Sequence, residues 1–588
     1  MPVPLCVLAK MKLGYVSQLC CGVFDYKCFM RLIGENMYSK NDIITLTIDD
    51  IGTEGQGIGH IDGYALFIKD ALPGDKVKAK ITKVKKNYGY AHLLEVLVPS
   101  PDRVNARCSN AARCGGCQLQ HYSYEKQLAY KQNKVRNCLI RMGGCEEAYI
   151  DSVMEPIIGM DNPFNYRNKA QFPVGCAKDG AISIGFYAGR THSIIDSREC
   201  HIQSDISNRV AEIVRSWMIE TKTVPYDEKS HTGLIRHILT RIGYKTGDVM
   251  VCLVVTDIRV RCIDSLIDRL KAIDGLRSVC LNINKDRTNR ILGADIINVY
   301  GDNYIEDYIG DVKYRISPHS FYQVNPVQTE KLYKTALEYA GLTGNEVVWD
   351  LYCGIGTISL FLAAAAKCVL GVEIVPQAIE DAKVNAKANG ISNAAFIACA
   401  AEDIADYLDN SVQYDAYRSP DIIVVDPPRK GCDAGLINTI LDISPERIVY
   451  ISCDPATLAR DVRLLGEGGY RVERVRACDM FGMTVHVETV VLLSQRKADD
   501  YVEVELELDE LDVTSAESKA TYEEIKKYVK DKYGVNVHTS YIAQVKRMCG
   551  LDMGENYNKS KKEKPDVKKC PQEKVEYIKD ALRCYNMI

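Results

Sequence analysis

Between residues 42 and 98 apolar and polar positions alternate with a period of two. The runs read I-I-T-L-T-I, then Y-A-L-F-I, then V-K-A-K-I-T-K-V, punctuated by Gly52, Gly55, Gly57, Gly59, Gly63 and Gly74. Short alternating strands with glycine turns predict a small β-barrel. Pro99-Ser100-Pro101 marks a boundary, and 102–340 mixes strand and helix patterns. From Val347 the pattern becomes V-V-W-D, helix, V-L-G-V-E, helix, I-I-V-V-D, and it closes near V-V-L-L-S-Q at 490–495. Buried strands alternating with helices predict an open, mostly parallel sheet covered on both faces. Beyond it Tyr522, Ile525 and Val529 share one helical face, as do Tyr541, Val545 and Met548. The expected fold is α/β. Its segments are an extension at 1–36, a barrel at 37–98, an α+β central region at 99–340, a Rossmann-like domain at 341–497 and a helical tail at 498–588.

Composition narrows the class. Apolar residues make up 46% and charged residues 26% of 588 residues, with a formal net charge of −4. That is ordinary for a globular protein. The 23 cysteines are mostly scattered singly, which fits a reducing, cytoplasmic setting better than a disulfide framework. No charge-free apolar run of about 18 residues occurs, so no membrane span is expected. Residues 1–36 carry Cys6, Cys20, Cys21 and Cys28 without periodicity. They read as a poorly ordered extension, or as residues upstream of a start at Met37.

Charge is uneven. Lys76, Lys78, Lys80, Lys83, Lys85 and Lys86 crowd one hairpin, followed by Tyr88 and Tyr90. Such a patch suits a phosphate backbone and stacked bases. It equally suits a solvated edge strand protected from aggregation by lysines. Acids at 499–512 form a linker or edge strand. Between 526 and 569 twelve Lys/Arg face five Asp/Glu, more commonly a solvated helical face than an RNA-binding one.

Three acids end three predicted parallel strands: Asp350 before C-G-I-G, Glu373 after G-V, and Asp426 before P-P-R-K-G. Gly354 and Gly356 let the backbone approach a ligand, and an acid after the second strand accepts ribose hydroxyls. The third glycine of the dinucleotide fingerprint is missing, which suits S-adenosylmethionine, a ligand without a pyrophosphate.

Cys453, in I-S-C-D-P-A-T-L-A-R, follows another parallel strand and so lies over the same crevice. A small buried filler is the plain alternative. A thiolate beside a methyl donor suits methylation of a pyrimidine at C5. Thiolate addition at C6 makes C5 nucleophilic, C5 takes the methyl, and a base removes the C5 proton so that the thiolate leaves. Glu488 in V-H-V-E-T-V is the candidate base, with His486 a weaker one. Cys108, Cys114 and Cys117 in C-x5-C-x2-C, with Cys200 in S-R-E-C-H-I-Q, supply four thiolates. These suit tetrahedral zinc or an iron–sulfur cluster, and spacing does not choose between them.

These motifs together resemble the TrmA/RumA-type RNA (uracil-5-)methyltransferases, closest to the 23S rRNA branch, over roughly 40–497. F-Y-Q-V-N-P at 321–326, D-L-Y-C-G-I-G-T at 350–357, D-P-P-R-K-G at 426–431, S-C-D-P-A-T-L-A-R-D at 452–461 and H-V-E-T-V at 486–490 occur in family order. The resemblance implies that Gln323, Tyr352, Glu373 and Asp426 contact S-adenosylmethionine, that Cys453 is the nucleophile and that Glu488 is the general base. It implies a TRAM barrel that binds RNA, and a [4Fe–4S] cluster on Cys108, Cys114, Cys117 and Cys200, with zinc as runner-up. The expected partner is 23S rRNA, the expected state a monomer. The target uridine is flipped onto Phe321 or Tyr322, with Arg429 and Lys430 at nearby phosphates. Two alternatives stand beside this: the same reaction on tRNA, whose branch generally lacks the barrel and the cysteine set, and a non-catalytic iron–sulfur RNA-binding protein. Asp454 stands where some members have Asn, and 498–588 lies outside the family core.

Overall fold

A computed structural model describes residues 38–496 except residue 178, together with 522–535, 537, 539–549 and 571–585. The expected N-terminal extension and the acidic stretch at 499–512 lie outside the described residues. The chain forms two compact units, Met1–Ala498 and Asp499–Ile588.

The alternating segment becomes a barrel-like sheet. Its strands are Ile43–Thr47, Asp50–Ile51, Gly57–Ile61, Tyr64–Ile68, Lys76–Val84 and Tyr88–Val98. Ile44, Leu46, Leu66, Ile68, Val77, Ala79 and Ile81 point inward and are buried together. Lys76 and Lys78, between them in sequence, point outward. The Asp49 N–H donates to the Ile58 carbonyl at 2.8 Å, drawing the two ends of the sheet together. The central region forms a seven-stranded sheet, on which Asp205–Thr221 and Ile263–Leu270 bury Trp217, Met218, Leu266 and Leu270.

An eight-stranded sheet carries the strand-end acids. Its order is Ala394–Ala398, Cys368–Glu373, Val347–Leu351, Ile422–Val425, Arg447–Ser452, Glu488–Gln495, Tyr470–Cys478 and Met154–Ile158. The first five strands are parallel. Their unbroken apolar runs follow from burial on both faces. Val348, Val369, Val424 and Val449 pack on the helices Pro326–Ala340, Thr357–Ala363 and Pro376–Ala388. Trp349, Leu351, Val425 and Tyr450 pack on Ala434–Ile443 and Pro455–Glu467. Glu488–Gln495 enters antiparallel, between Arg447–Ser452 and Tyr470–Cys478.

One helix, Tyr124–Arg141, joins barrel and sheet. Lys131 Nζ meets Asp479 Oδ1 at 2.5 Å, both side chains wholly buried, and donates to the Phe481 carbonyl at 3.0 Å. The Tyr124 hydroxyl donates to the other Asp479 oxygen at 2.8 Å. Gln127 accepts from Met483 N at 3.2 Å, and Lys134 donates to the Val485 carbonyl at 3.0 Å. The Tyr130 hydroxyl, meanwhile, donates to the Thr53 carbonyl of the barrel at 2.9 Å. The helix thereby grips the loop that leads into Glu488.

Among its described residues the second unit has three helices, Tyr522–Tyr533, Thr539–Met548 and Gln572–Cys584, around Ile525, Val529, Ile542, Val545, Val575, Ile578 and Leu582. Ile525, Val529 and Val545 are buried as their spacing implies. Met548 is 67% exposed, and Ile542 takes the inward position beside Val545.

Removing one partner of a wholly buried ion pair strands the other charge away from water, at a cost of about 3–5 kcal/mol. Lys131→Ala is therefore expected to lower the stability of the first unit by about that much. The shape-preserving pair Lys131→Met with Asp479→Leu should recover most of it. Urea unfolding followed by circular dichroism checks both.

Candidate active site

The site is assembled at the carboxyl ends of the parallel strands. After Val347–Leu351 the chain turns sharply through Tyr352, Gly354 and Gly356, with φ of +72°, +56° and +80°. Left-handed backbone is free for glycine but costs a tyrosine on the order of 1 kcal/mol, held here by the surrounding fold. A Cβ on Gly356 would sit 3.1 Å from the Phe396 ring, so the loop is packed as well as turned. Gly354 N and Val375 N donate to the two Glu373 oxygens at 3.2 and 3.0 Å, which fixes that carboxylate at the rim.

Gln323, Tyr352, Glu373, Asp426, Cys453 and Glu488 all line one cleft of about 610 Å³. Phe321, Arg429, Lys430, Phe481 and His486 line it too, as do Cys399 and Glu402 on the wall beyond Glu373. No motif spacing marks that far wall, which comes from the loop after Ala394–Ala398. The Gln323 carbonyl accepts from Asn168 Nδ2 at 3.0 Å, and Asn168 N donates to the Val324 carbonyl at 2.9 Å.

The electrostatics are lopsided. Burial pushes the Glu488 carboxyl up to about 8, with Asp426 adding to the rise and Arg429 opposing it. Burial also pushes Asp426 and Asp350 up to about 7 each. The Cys453 thiol rises to about 11 through burial, then through Glu488 and Asp426, against Arg429. A cleft in which carboxyls hold protons this tightly favours a cationic ligand, because a positive charge lets them ionise.

Three local details bear on these roles. Cys453 follows Arg447–Ser452 and precedes Pro455–Glu467, and the Asp454 carboxylate caps that helix by accepting from Ala456 N at 2.9 Å. The raised value of the thiol comes from burial first and then from Glu488 and Asp426. Tyr322 is 4% exposed and hydrogen-bonds Asp307 at 3.3 Å, whereas Phe321 is 68% exposed and opens on the cleft. Adjacent residues in extended chain face opposite ways, so Phe321 alone is available for stacking. Burial and Arg429 pull His486 down to about 4, so it is neutral near pH 7.

Cys108, Cys114, Cys117 and Cys200 line a second cavity, of about 310 Å³, with Arg167, Lys169 and Val324. Cys117 is pushed up to about 12 and Cys200 to about 11, by burial first and then partly by the other thiols. Gln120 accepts from Cys108 N at 3.1 Å, and Asn208 accepts from Cys200 N at 3.1 Å. Among the described residues no three His, Cys, Asp or Glu side chains are gathered as metal-ion ligands. The donor set nonetheless suits an anionic thiolate-bound group: four thiols border one cavity with Arg167, whose Nε is buried without a partner, and with Lys169, which burial and nearby arginines pull down to about 7 and which an anion would recharge.

Comparison with known proteins agrees with this geometry. The family described as tRNA (Uracil-5-)-methyltransferase matches residues 269–496, and the TRAM domain matches 40–94. An uncharacterized RNA methyltransferase of Halalkalibacterium halodurans is 49% identical over 456 residues, 77% of this chain and 97% of its own. One from Clostridium tetani is 46% identical over 457 residues, again 77% and 97%. The crystal structure of Pyrococcus abyssi tRNA (uracil-54, C5)-methyltransferase in complex with S-adenosyl-L-homocysteine is 28% identical with a TM-score of 0.62, covering 76% of this chain and all of that one.

The acids generate a pH dependence. Glu488 rises from an ordinary 4.5 to about 8 on folding. Between those values the unfolded chain releases the proton while the folded chain keeps it, so stability falls as pH rises through this window and levels off above it. Glu488→Gln should flatten that fall in thermal unfolding of the ligand-free protein. By the same logic, S-adenosylmethionine, a cation, should bind about tenfold tighter at pH 8.5 than at pH 6, and neutral S-adenosylhomocysteine should change far less. Calorimetric titration of both ligands measures this.

Proposed function

The chain belongs to the tRNA (uracil-5-)-methyltransferase family of S-adenosylmethionine-dependent RNA methyltransferases, and from that premise we propose that it methylates C5 of a uridine in 23S rRNA. The observation that carries the chemistry is the convergence of Cys453, Glu488 and the Tyr352–Gly356 turn on one cleft.

In this reading Gln323, Tyr352, Glu373 and Asp426 hold S-adenosylmethionine, which supplies an electrophilic methyl. The flipped uracil stacks on Phe321, and Arg429 and Lys430 meet flanking phosphates. Arg429 and the sulfonium would favour ionisation of Cys453, whose proton passes to water; the thiolate then bonds to C6, and the electron pair displaced toward C5 takes the methyl. Glu488 then removes the C5 proton, the C5=C6 double bond re-forms, and the Cys453 sulfur departs with the electrons of its bond to C6. The raised acid suits this order. A sulfonium in the cleft keeps Glu488 ionised and ready. Methyl transfer cancels that positive charge, so the carboxylate becomes more basic when a proton must be taken.

Methyl transfer is tested with RNA containing 5-fluorouridine, whose C5 substituent cannot leave as a proton. The expected result is a covalent protein–RNA adduct on a denaturing gel that disappears in Cys453→Ala. On unmodified RNA, Glu488→Gln should slow turnover by about 10²–10⁴ and accumulate methylated adduct. Persistence of the adduct in Cys453→Ala overturns the assignment of the nucleophile.

The choice of 23S rRNA rests on the cysteine set shared with that branch. The reading on tRNA is favoured by the Pyrococcus abyssi structure, whose full length aligns to this chain. Running the adduct assay with 23S rRNA and with tRNA decides between them, and digestion of the adduct locates the uridine.

We infer that Cys108, Cys114, Cys117 and Cys200 hold a [4Fe–4S] cluster, an anionic group that would be partnered by Arg167 and Lys169. Its expected role is structural. Anaerobically purified protein should contain iron and acid-labile sulfide in equal amounts, and Cys117→Ser should lose both. Zinc without sulfide would identify the runner-up.

A further inference from the structure

We propose that the outer face of the barrel is a stacking platform for unpaired nucleobases of the RNA substrate, formed by Phe67, Tyr88 and Tyr90. The inference rests on the RNA-methyltransferase reading and adds a second contact, remote from the cleft, that holds the bases of single-stranded RNA.

The sequence period places these rings. Leu66, Ile68, Gly89 and Ala91 point into the barrel, so Phe67, Tyr88 and Tyr90 point out. Phe67 lies directly beside Tyr90 on the paired strand, and Ala65 beside Tyr88. The three ring centroids form a near-equilateral triangle with sides of 5.7, 5.7 and 5.8 Å. None of the three belongs to the barrel core, which is filled by Leu66, Val77, Ile81 and their neighbours. Tyr88 is 38% exposed. Three aromatic side chains gathered on the wet face of a sheet do little for the barrel beyond cross-strand contacts. Phe67 and Tyr90 are tilted by 35° and Tyr88 stands edge-on to them, at 82° and 77°, so the cluster offers separate ring faces on which bases of any identity stack.

The platform is rigid. Tyr64, on the strand that carries Phe67, donates its hydroxyl to the Lys85 carbonyl at 2.8 Å and also to the Tyr88 carbonyl. It thus braces the hairpin turn from within. Gly89 makes the close approach possible: a Cβ there would lie 2.9 Å from the Lys83 carbonyl and 3.1 Å from the Tyr64 hydroxyl. Rings held in place lose less freedom on binding than rings that must be ordered.

Charge selects the occupant. Lys83 lies opposite Tyr90 and Lys80 opposite His92 on the neighbouring strand, and Lys85 and Lys86 follow in the exposed turn. None of these four lysines forms an ion pair among the described residues. Aromatic rings with a row of unpaired cations alongside match a polyanion whose bases are exposed, which is single-stranded RNA. At the end of the same strand as Phe67, Lys69 donates to the Ala112 carbonyl at 3.0 Å. The platform therefore runs up to the loop that carries Cys108, Cys114 and Cys117.

The test uses the full-length protein and a labelled short oligouridylate, with binding followed by fluorescence anisotropy across a salt series and inorganic polyphosphate as competitor. Tyr88→Ala with Tyr90→Ala should weaken oligouridylate binding about tenfold or more, leave polyphosphate binding unchanged and leave the salt slope unchanged. Lys83→Ala with Lys85→Ala should instead flatten the salt slope, by roughly 0.7 per lysine. Tyr88→Phe with Tyr90→Phe keeps the rings and should bind as the native protein does, which guards against an alanine variant that merely unfolds. Native affinity in the alanine variant, or equal loss in the phenylalanine variant, overturns the platform. The 5-fluorouridine adduct separates this from the reading of the reaction. Platform variants should reach the native adduct plateau at higher RNA concentration. Absence of adduct in the native protein, with platform-dependent binding intact, would remove the reaction and leave the platform.

Discussion

Carboxyl groups crowded at the ends of parallel strands are the constraint on which the rest of the site depends. Asp426 and Glu488 in the cleft, and Asp350 buried behind it where it accepts from Ser359, are each pushed well above the carboxylate range, and the Cys453 thiol is pushed up beside the first two. Burying several anions together without a counter-charge is unfavourable, so the ligand-free cleft stores protons instead. A sulfonium resolves the conflict, and its disappearance on methyl transfer restores it. In the proposed reaction the same geometry would account for both the ligand preference and the timing of proton removal by Glu488. Arg429, the cation that opposes the rise at both Cys453 and Glu488, is exposed at the rim and so moderates the effect without removing it.

Such a site works only if Glu488 is held against the repulsion it feels. Glu488 is the first residue of its strand, and the loop before it has little regular structure of its own. Its order comes from helix Tyr124–Arg141, through Gln127, Lys131 and Lys134. The buried Lys131–Asp479 pair is a costly way to gain stability. It is a specific way to fix a loop, since both charges are wholly buried and their remaining partners, the Tyr124 hydroxyl and the Phe481 carbonyl, belong to the same junction.

The residues proposed to react were legible as lining one cleft because each stands at a position that a strand pattern already defines. Asp350, Glu373, Asp426 and Cys453 all follow predicted parallel strands, and the crevice above such strands is where α/β sheets bind ligands. What was not legible depends on contacts between distant segments. Lys131 and Asp479 are 348 positions apart, and a lysine on a charged helix reads as a surface residue. The choice between Phe321 and Tyr322 turns on which side of an extended segment faces Asp307. The raised value of Cys453 reflects burial first, and then Glu488 and Asp426 against Arg429, three residues from distant parts of the chain.

The barrel is more than an appended module. Its Gly52–Gln56 turn is held by the Tyr130 hydroxyl, and a Cβ on Gly55 would meet Val485 at 2.9 Å. Val485 lies three residues before Glu488 and packs with Leu72, Leu119, Tyr122 and Tyr130 in a small core of its own. Barrel, helix and the loop before Glu488 thus share one set of contacts, so a displacement of the barrel would bear directly on the segment that positions Glu488. A tether through flexible linkers would raise only the local concentration of RNA. A packed junction also fixes the barrel relative to Cys453, so in the proposed reaction an RNA held on the barrel would reach the cleft from one direction, which would restrict the uridines able to enter.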